Sequence, residues 1–123
     1  MAGATLAGSD DGSTSLWISE WSGAATTSVL DTNCWVGDTN CTAGTDKLVC
    51  GPMTTGFTND MVLAFAAYSA STGTAGTNFT AISPEAGGFG EYFCKTNTGS
   101  IFPTVSSTSD ETYGMISVAF KHR

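Results

Sequence analysis

Turn-forming residues divide this chain into short extended runs, and this pattern limits the fold more than any other feature. Glycine, Asn-Thr, Thr-Gly and Ser-Thr recur at short intervals, and helical periodicity is nearly absent. Charged residues make up only 12% of the chain, and Ser, Thr, Gly and Asn take their place, which suits pleated strands and frequent turns. The sequence therefore predicts an all-β fold, a jelly-roll or Ig-like antiparallel β-sandwich of about seven strands.

The predicted strands are runs bounded by Gly, Pro or Ser/Thr turns. The most apolar runs, 61–68 and 115–120, are expected at the centre of a sheet and covered on both faces. A short buried helix is the alternative for 61–68, because Met, Leu and Ala favour helices. The segment 23–45 is predicted to be the longest loop, and Gly51-Pro52 to mark a bulge or an edge position. The strands are expected at 16–21, 47–55, 61–68, 78–83, 90–96, 101–106 and 113–121.

The chain length of 123 residues fits one domain with one core. Residues 16–123 are predicted to form the sandwich, and residues 1–15, rich in Gly, Ser, Asp and Thr, a flexible or docking N-terminal arm. No run reaches the roughly 20 apolar residues that span a bilayer, so membrane insertion is not expected. With 11 acidic residues against 4 basic ones, the net charge of −7 disfavours nucleic acid as a partner.

Four cysteines form an even set, which favours disulfide bonds and an oxidising, extracellular location. Three pairings of Cys34, Cys41, Cys50 and Cys94 are possible. The preferred one joins Cys34 to Cys41 across a short polar loop, and Cys50 to Cys94 between two distant strands. A zinc site and four reduced thiols are the alternatives, of which zinc lacks closely spaced Cys/His pairs.

Several short motifs together resemble a known group of domains. They are Trp21-Ser22-Gly23, residues 25–31, Thr54-Thr55, residues 59–65 and residues 115–121. In this order they resemble the C-terminal half of jelly-roll-like β-sandwich domains of secreted bacterial proteins. The resemblance implies a fold and a compartment but no catalytic residues. The chain departs from the pattern by its four cysteines and by lacking the strands that precede the first motif.

Half a jelly roll exposes strand edges and an apolar face that must be covered. The arm 1–15 of a neighbouring copy can add a strand, or the apolar faces of several copies can pack in an oligomer or fibre. The alternative is a sandwich that closes within one chain.

Catalytic constellations are absent from the sequence. His122, the sole histidine, lies beside the C-terminus, where a nucleophilic triad is not expected. The acids Glu20, Glu85 and Glu91 show no spacing that singles out a glycosidase pair. The chain is therefore predicted not to be an enzyme.

Binding residues are easier to nominate. Trp17, Trp21 and Trp35 could form an aromatic platform for sugar rings, whereas the alternative is that Trp17 and Trp21 point into the core. Asp31 and Asp38 carry hard oxygen ligands suited to calcium, although Asp/Asn clusters also form plain turns. The sequons at Asn40 and Asn78 are candidate glycosylation sites.

These observations predict a secreted structural protein: a disulfide-containing sandwich subunit that self-associates at a cell surface or in a filament. The alternative is a carbohydrate-binding module that uses exposed tryptophans, with calcium as its candidate cofactor. The two hypotheses differ in their partner, since the first needs a second copy and the second needs a glycan.

Overall fold

A computed structural model describes residues 21–38, 47–68, 73–85, 88–106 and 113–123. All regular structure in these ranges is β-strand, and every strand pairing is antiparallel. The predicted all-β antiparallel sandwich is therefore confirmed. The strands are β1 Leu30–Asp38, β2 Lys47–Val49, β3 Met53–Thr55, β4 Asp60–Tyr68, β5 Thr80–Glu85, β6 Gly88–Lys95, β7 Gly99–Ile101, β8 Thr104–Ser106 and β9 Tyr113–Phe120.

One large sheet dominates the fold. Its five strands lie in the order β1-β9-β4-β6-β5, and two small ribbons, β2-β8 and β3-β7, form the second layer. The most apolar strands, β4 and β9, occupy interior positions, as predicted. The helical alternative for 61–68 is wrong, because this run pairs with β6 and β9 along its whole length.

The described ranges alone contain nine strands, more than the seven predicted, for identifiable reasons. Gly51-Pro52 splits the run 47–55 into β2 and β3, where Gly51 has a φ of 135° and a Cβ would lie 2.8 Å from the Met53 nitrogen. Pro103 lacks an N–H, and it separates β7 from β8. A further strand, β1, lies inside the segment 23–45 that was predicted to be a loop. That prediction is wrong.

The strand β1 shows how pairing can override a polar sequence. Near its start lie Asp31 and Asn33, two residues that favour turns. The strand nevertheless pairs with β9 from Leu30 to Asp38, with a register shift between Leu30 and Thr32. Beyond that shift, Cys34 and Val36 point toward the second layer, and Trp35 points away from it.

The core lies between the large sheet and the ribbons. Val62, Ala64 and Ala66 of β4 face this core together with Met115 and Ala119 of β9. From the ribbon side come buried Cys50, Met53, Ile101 and Val105. We call this side of the large sheet the inner face, and the opposite side the outer face. The prediction that β9 is covered on both faces is wrong, because Ile116 on its outer face is 53% exposed.

One disulfide joins the two layers. It links Cys34 on β1 to Cys50 beside the ribbons, with a Cα–Cα distance of 5.8 Å. The preferred pairing of Cys34 with Cys41 and of Cys50 with Cys94 is therefore wrong. Cys94 is an exposed free thiol, because it lies opposite Met61 on the outer face while Cys50 is buried in the core. Cys41 lies outside the described residues.

The disulfide indicates an oxidising environment. Within the described ranges no helix is long and apolar enough to cross a membrane. The arm 1–15 and most of the predicted strand 16–21 lie outside the described residues. Trp21, the last residue of that predicted strand, is not part of a regular strand.

Candidate functional site

The outer face of the large sheet carries a row of large apolar side chains. Trp35 on β1 pairs with Ile116 on β9, Ile116 with Phe65 on β4, and Phe65 with Gly90 on β6. We call Trp35, Ile116 and Phe65 the outer row. The Trp35 side chain is 80% exposed and Ile116 is 53% exposed. These residues line a shallow groove of about 380 Å³.

Glycines leave the outer row open on its sides. Gly37 on β1 is the register partner of Gly114 on β9. This glycine pair lies on the outer face, next to the pair formed by Trp35 and Ile116. Neither glycine has a side chain to cover the indole. At the other end of the row the Phe65 ring lies over Gly90, where a Cβ would meet the ring at 3.1 Å. The result is a flat apolar surface that ends in a projecting indole.

A second cavity lies at the other end of the outer face. It has a volume of about 290 Å³, and Trp21, Met61, Cys94, Phe120 and His122 are among its lining residues. Trp21 is only partly exposed and packs against Tyr92, with 5.1 Å between ring centroids and 50° between ring planes. Trp21 and Trp35 thus line separate cavities. Trp17 lies outside the described residues.

The inner face holds a buried carboxylate at Glu91. Glu91 is 0% exposed and accepts hydrogen bonds from the backbone N–H groups of Gly76, at 2.7 Å, and Thr104, at 3.2 Å. Burial raises the pKa of Glu91 to about 7, and the two N–H donors partly oppose this shift. Because these donors hold one carboxylate oxygen each, Glu91 ties the segment before β5 and the strand β8 to the large sheet.

Glu85 ends β5, opposite Gly88 at the start of β6. Glu20 lies outside the described residues. Glu91 itself is sealed in the core, where a sugar cannot reach it.

A second buried acid, Asp60, lies at the start of β4 beside Asp31 of β1. Asp60 is 0% exposed, and neither of its oxygens has a hydrogen-bond partner with ordinary distance and angle among the described residues. Burial and, after it, the hydrogen bond and charge of the Asp31 carboxyl raise the pKa of Asp60 to about 6, although the His122 backbone N–H and the Lys121 ammonium act in the opposite direction. Asp31 accepts a hydrogen bond from the Gly56 N–H at 2.7 Å.

The structure separates the two predicted calcium ligands. Asp31 lies near the start of β1 and Asp38 at its end, opposite Tyr113. At the rise of a β-strand this separation is about 20 Å, so they do not share one ion. In the described part of the chain no three His, Cys, Asp or Glu side chains are grouped as metal ligands.

The predicted glycosylation sites have different positions. Asn78 is exposed, has a φ of 72° and lies in the turn that leads into β5, so its side chain is accessible. Asn40 lies outside the described residues.

The sequence reasoning did not nominate Ile116, Phe65 or Asp60 as site residues. A period of two in the strand 60–68 places Asp60 on the same face as Val62, Ala64 and Ala66. This alternation was a usable sign that Asp60 is buried. The position of Ile116 beside Trp35 depends on the pairing of β1 with β9, which the sequence did not indicate.

No protein-family model, no curated protein and no solved structure matches this chain.

Proposed function

We propose that this protein is an extracellular structural subunit that self-associates through the outer row and the adjacent edge of its large sheet. The observation that carries the proposal is the 80% exposure of Trp35 on an edge strand, beside an Ile116 that is 53% exposed. Exposed apolar clusters of this kind mark interaction surfaces, because they bury hydrocarbon when a partner covers them.

The two edges of the large sheet differ in their protection. The edge strand β5 contains Pro84, which lacks an N–H, and a register shift between Ala81 and Ser83. Proline and bulges are devices that prevent strands from pairing edge to edge. The edge strand β1 has a register shift only near its start, and from Asn33 onward it contains neither proline nor lysine. No described strand pairs with its outer edge.

A second copy of this chain is the occupant that fits the β1 edge. Antiparallel pairing of β1 with β1 of another copy is self-complementary, because a twofold axis normal to the sheet relates the two strands. This axis keeps both outer faces on the same side. Since Trp35 lies near the middle of β1, the two indoles come close together. Pairing satisfies the edge N–H and C=O groups and extends the apolar surface.

Location and assembly form part of the same proposal. The disulfide between the layers suits a protein that works outside the cell. The large share of neutral Ser, Thr, Gly and Asn, with an accessible sequon at Asn78, suits a polar exterior in a cell-surface or filament protein. The resemblance to domains of secreted bacterial proteins supports this location. The proposed partner is another copy, and no catalytic step is assigned.

The test compares two charge-introducing variants at opposite edges of the same face. Trp35→Lys places a charge at the β1 edge, and Ile82→Lys places one at the β5 edge, where Ile82 is 36% exposed and lies beside Gly90. We expect light scattering of the non-reduced protein to show a dimer or larger assembly that Trp35→Lys dissociates and Ile82→Lys preserves. A wild-type monomer at all concentrations contradicts the proposal.

Carbohydrate binding is a second candidate, and the same indole favours it. A projecting tryptophan flanked by glycines offers a flat face on which a sugar ring can stack. This candidate requires a monomer with a free outer row. A glycan-array screen and a change in tryptophan fluorescence on adding an oligosaccharide, lost in Trp35→Ala and kept in Trp21→Phe, support it over self-association.

A further inference from the structure

Asp60 is a buried carboxylate whose oxygens make no well-formed hydrogen bond within the described ranges. It is 0% exposed. Other buried polar side chains nearby are satisfied: Ser117 donates to the Leu63 carbonyl at 2.9 Å, and Thr55 to the Gly99 carbonyl at 3.2 Å. An ionised carboxylate in such a place is costly unless a charge or a hydrogen bond compensates it.

The carboxylate of Asp31 lies close to that of Asp60. The register shift between Leu30 and Thr32 in β1 sets the position of Asp31, and its carboxyl is close enough to Asp60 to raise the pKa of Asp60. The Gly56 N–H, bonded to Asp31 Oδ2 at 2.7 Å, fixes that side chain. Two like charges are therefore brought together by separate elements: the start of β1, the start of β4 and the segment after β3.

The nearby cations do not neutralise this pair. The Lys121 ammonium lies 4.4 Å from the centre of the Phe57 ring, and it lowers the pKa of Asp60 less than burial and Asp31 raise it. His122 acts on Asp60 through its backbone N–H. Lys95 is the register partner of Asp60 on β6, and no ion pair joins the two side chains among the described residues.

We propose that Asp31 and Asp60 are the protein ligands of a divalent-cation site suited to calcium. Calcium is a hard cation that prefers carboxylate oxygens, tolerates irregular geometry and completes its shell with water and backbone carbonyls. Two carboxylates supply the charge that matches the ion. Because so few charged ligands contribute, the affinity belongs to the weak class of extracellular modules, with a dissociation constant of about 0.1–1 mM.

Binding would stabilise the fold by connecting its elements. A cation held by Asp31 and Asp60 joins the edge strand β1 to the interior strand β4. It also holds the segment at Gly56 through the Asp31 contact. Since the ion binds the folded chain and not the unfolded one, the melting temperature should rise with calcium concentration.

The experiment measures the melting temperature of chelator-treated, non-reduced protein at pH 7.5, with and without about 10 mM calcium chloride. We expect calcium to raise it by about 5–11 °C. Asp31→Asn and Asp60→Asn should each abolish this rise. Asp38→Asn is the matched control, because it makes the same change at the far end of β1, and it should keep the full rise. Calorimetric titration should likewise detect calcium binding in the wild type and in Asp38→Asn, and no binding in Asp31→Asn or Asp60→Asn.

Two results would overturn the proposal. One is a wild-type melting temperature and a calorimetric titration that do not respond to calcium. The other is a calcium response that survives Asp31→Asn, which places the ion elsewhere. Asp31 is only partly buried, so this variant stays informative even if Asp60→Asn does not fold.

Discussion

The two faces of the large sheet each carry side chains that are unusual for their surroundings. The inner face buries the acids Asp60 and Glu91, both 0% exposed, whereas the outer face exposes Trp35 and Ile116. Glu91 is compensated by backbone N–H groups, and we assign a cation to Asp60. Among the described residues nothing covers the Trp35 indole, which is 80% exposed. The comparison teaches that most groups on the inner face are satisfied by the second layer, with Asp60 as the exception, whereas the outer face leaves large apolar side chains exposed.

The largest expected effect is the loss of an aromatic side chain from the inner face. Phe89 on β6 is 1% exposed and packs in the core with Ala64 and Ala66. We expect Phe89→Ala to lower the free energy of unfolding by about 3–5 kcal/mol, because it removes buried surface and leaves a cavity. Urea denaturation measures this change. A loss below about 1 kcal/mol would mean that the inner face is not the main core.

Removing the link between the layers should have the next largest effect. The disulfide Cys34–Cys50 closes a loop with a sequence separation of 16 residues. We expect the double variant Cys34→Ala, Cys50→Ala to lose about 3 kcal/mol, because the unfolded chain gains freedom. The control is Cys94→Ala, which alters an exposed free thiol and should leave stability nearly unchanged. Equal losses in both variants would contradict the observed connectivity.

The pH dependence of the free energy of unfolding tests whether burial raises the pKa of Glu91. Its pKa is raised from 4.5 to about 7, so between these values the folded chain holds a proton that the unfolded chain has released. The stabilisation is therefore complete below pH 4.5 and is lost as the pH rises through 7. We expect the urea midpoint of the wild type to fall from pH 6 to pH 8.

Glu91→Gln is the variant that isolates this contribution. Glutamine keeps the size of the side chain but cannot titrate, so the fall between pH 6 and pH 8 should largely disappear. It also replaces one acceptor oxygen by an amide, which leaves either Gly76 N–H or Thr104 N–H without its partner and costs about 1–2 kcal/mol at low pH. An unchanged pH profile in the variant would assign the titration to another group.

The smallest expected effect on stability belongs to the outer face. Trp35→Ala removes an even larger aromatic ring than Phe89→Ala, yet the 80% exposure of Trp35 means that little buried surface is lost. We expect a change within about 0.5 kcal/mol for the unfolding of the monomer. The proposed self-association should nevertheless be lost, which light scattering measures. A large destabilisation of the monomer would show that the indole belongs to the core.

Several features of the fold were predictable because they depend on local pattern. The apolar runs in β4 and β9 predicted interior strands, and Gly51-Pro52 predicted a bulge or an edge position at the point where β2 and β3 are separated. The strand β1 was missed because Asp31 and Asn33 favour turns in isolation. Its β conformation depends on the ladder with β9, which is far away in sequence.

The candidate sites were less predictable than the fold. Trp35 and Asp31 were nominated for their chemistry, but their true neighbours were not. Ile116 lies beside Trp35, and Asp60 beside Asp31, only because β1, β9 and β4 are adjacent in the large sheet. The cysteine pairing failed for the same reason, since a short loop suggested Cys41 as the partner of Cys34 whereas the packing of two layers selects Cys50.

The sequence by itself determined the secondary-structure class, the position of most strands and the polar, weakly charged character of the chain. These properties follow from residue propensities and from the period-two alternation, which act over a few residues. Only the tertiary structure decided which face is covered, which cysteines meet and which acids lie together. Those outcomes depend on strand order and register, where residues far apart in the chain become neighbours and a shift of one residue exchanges the two faces.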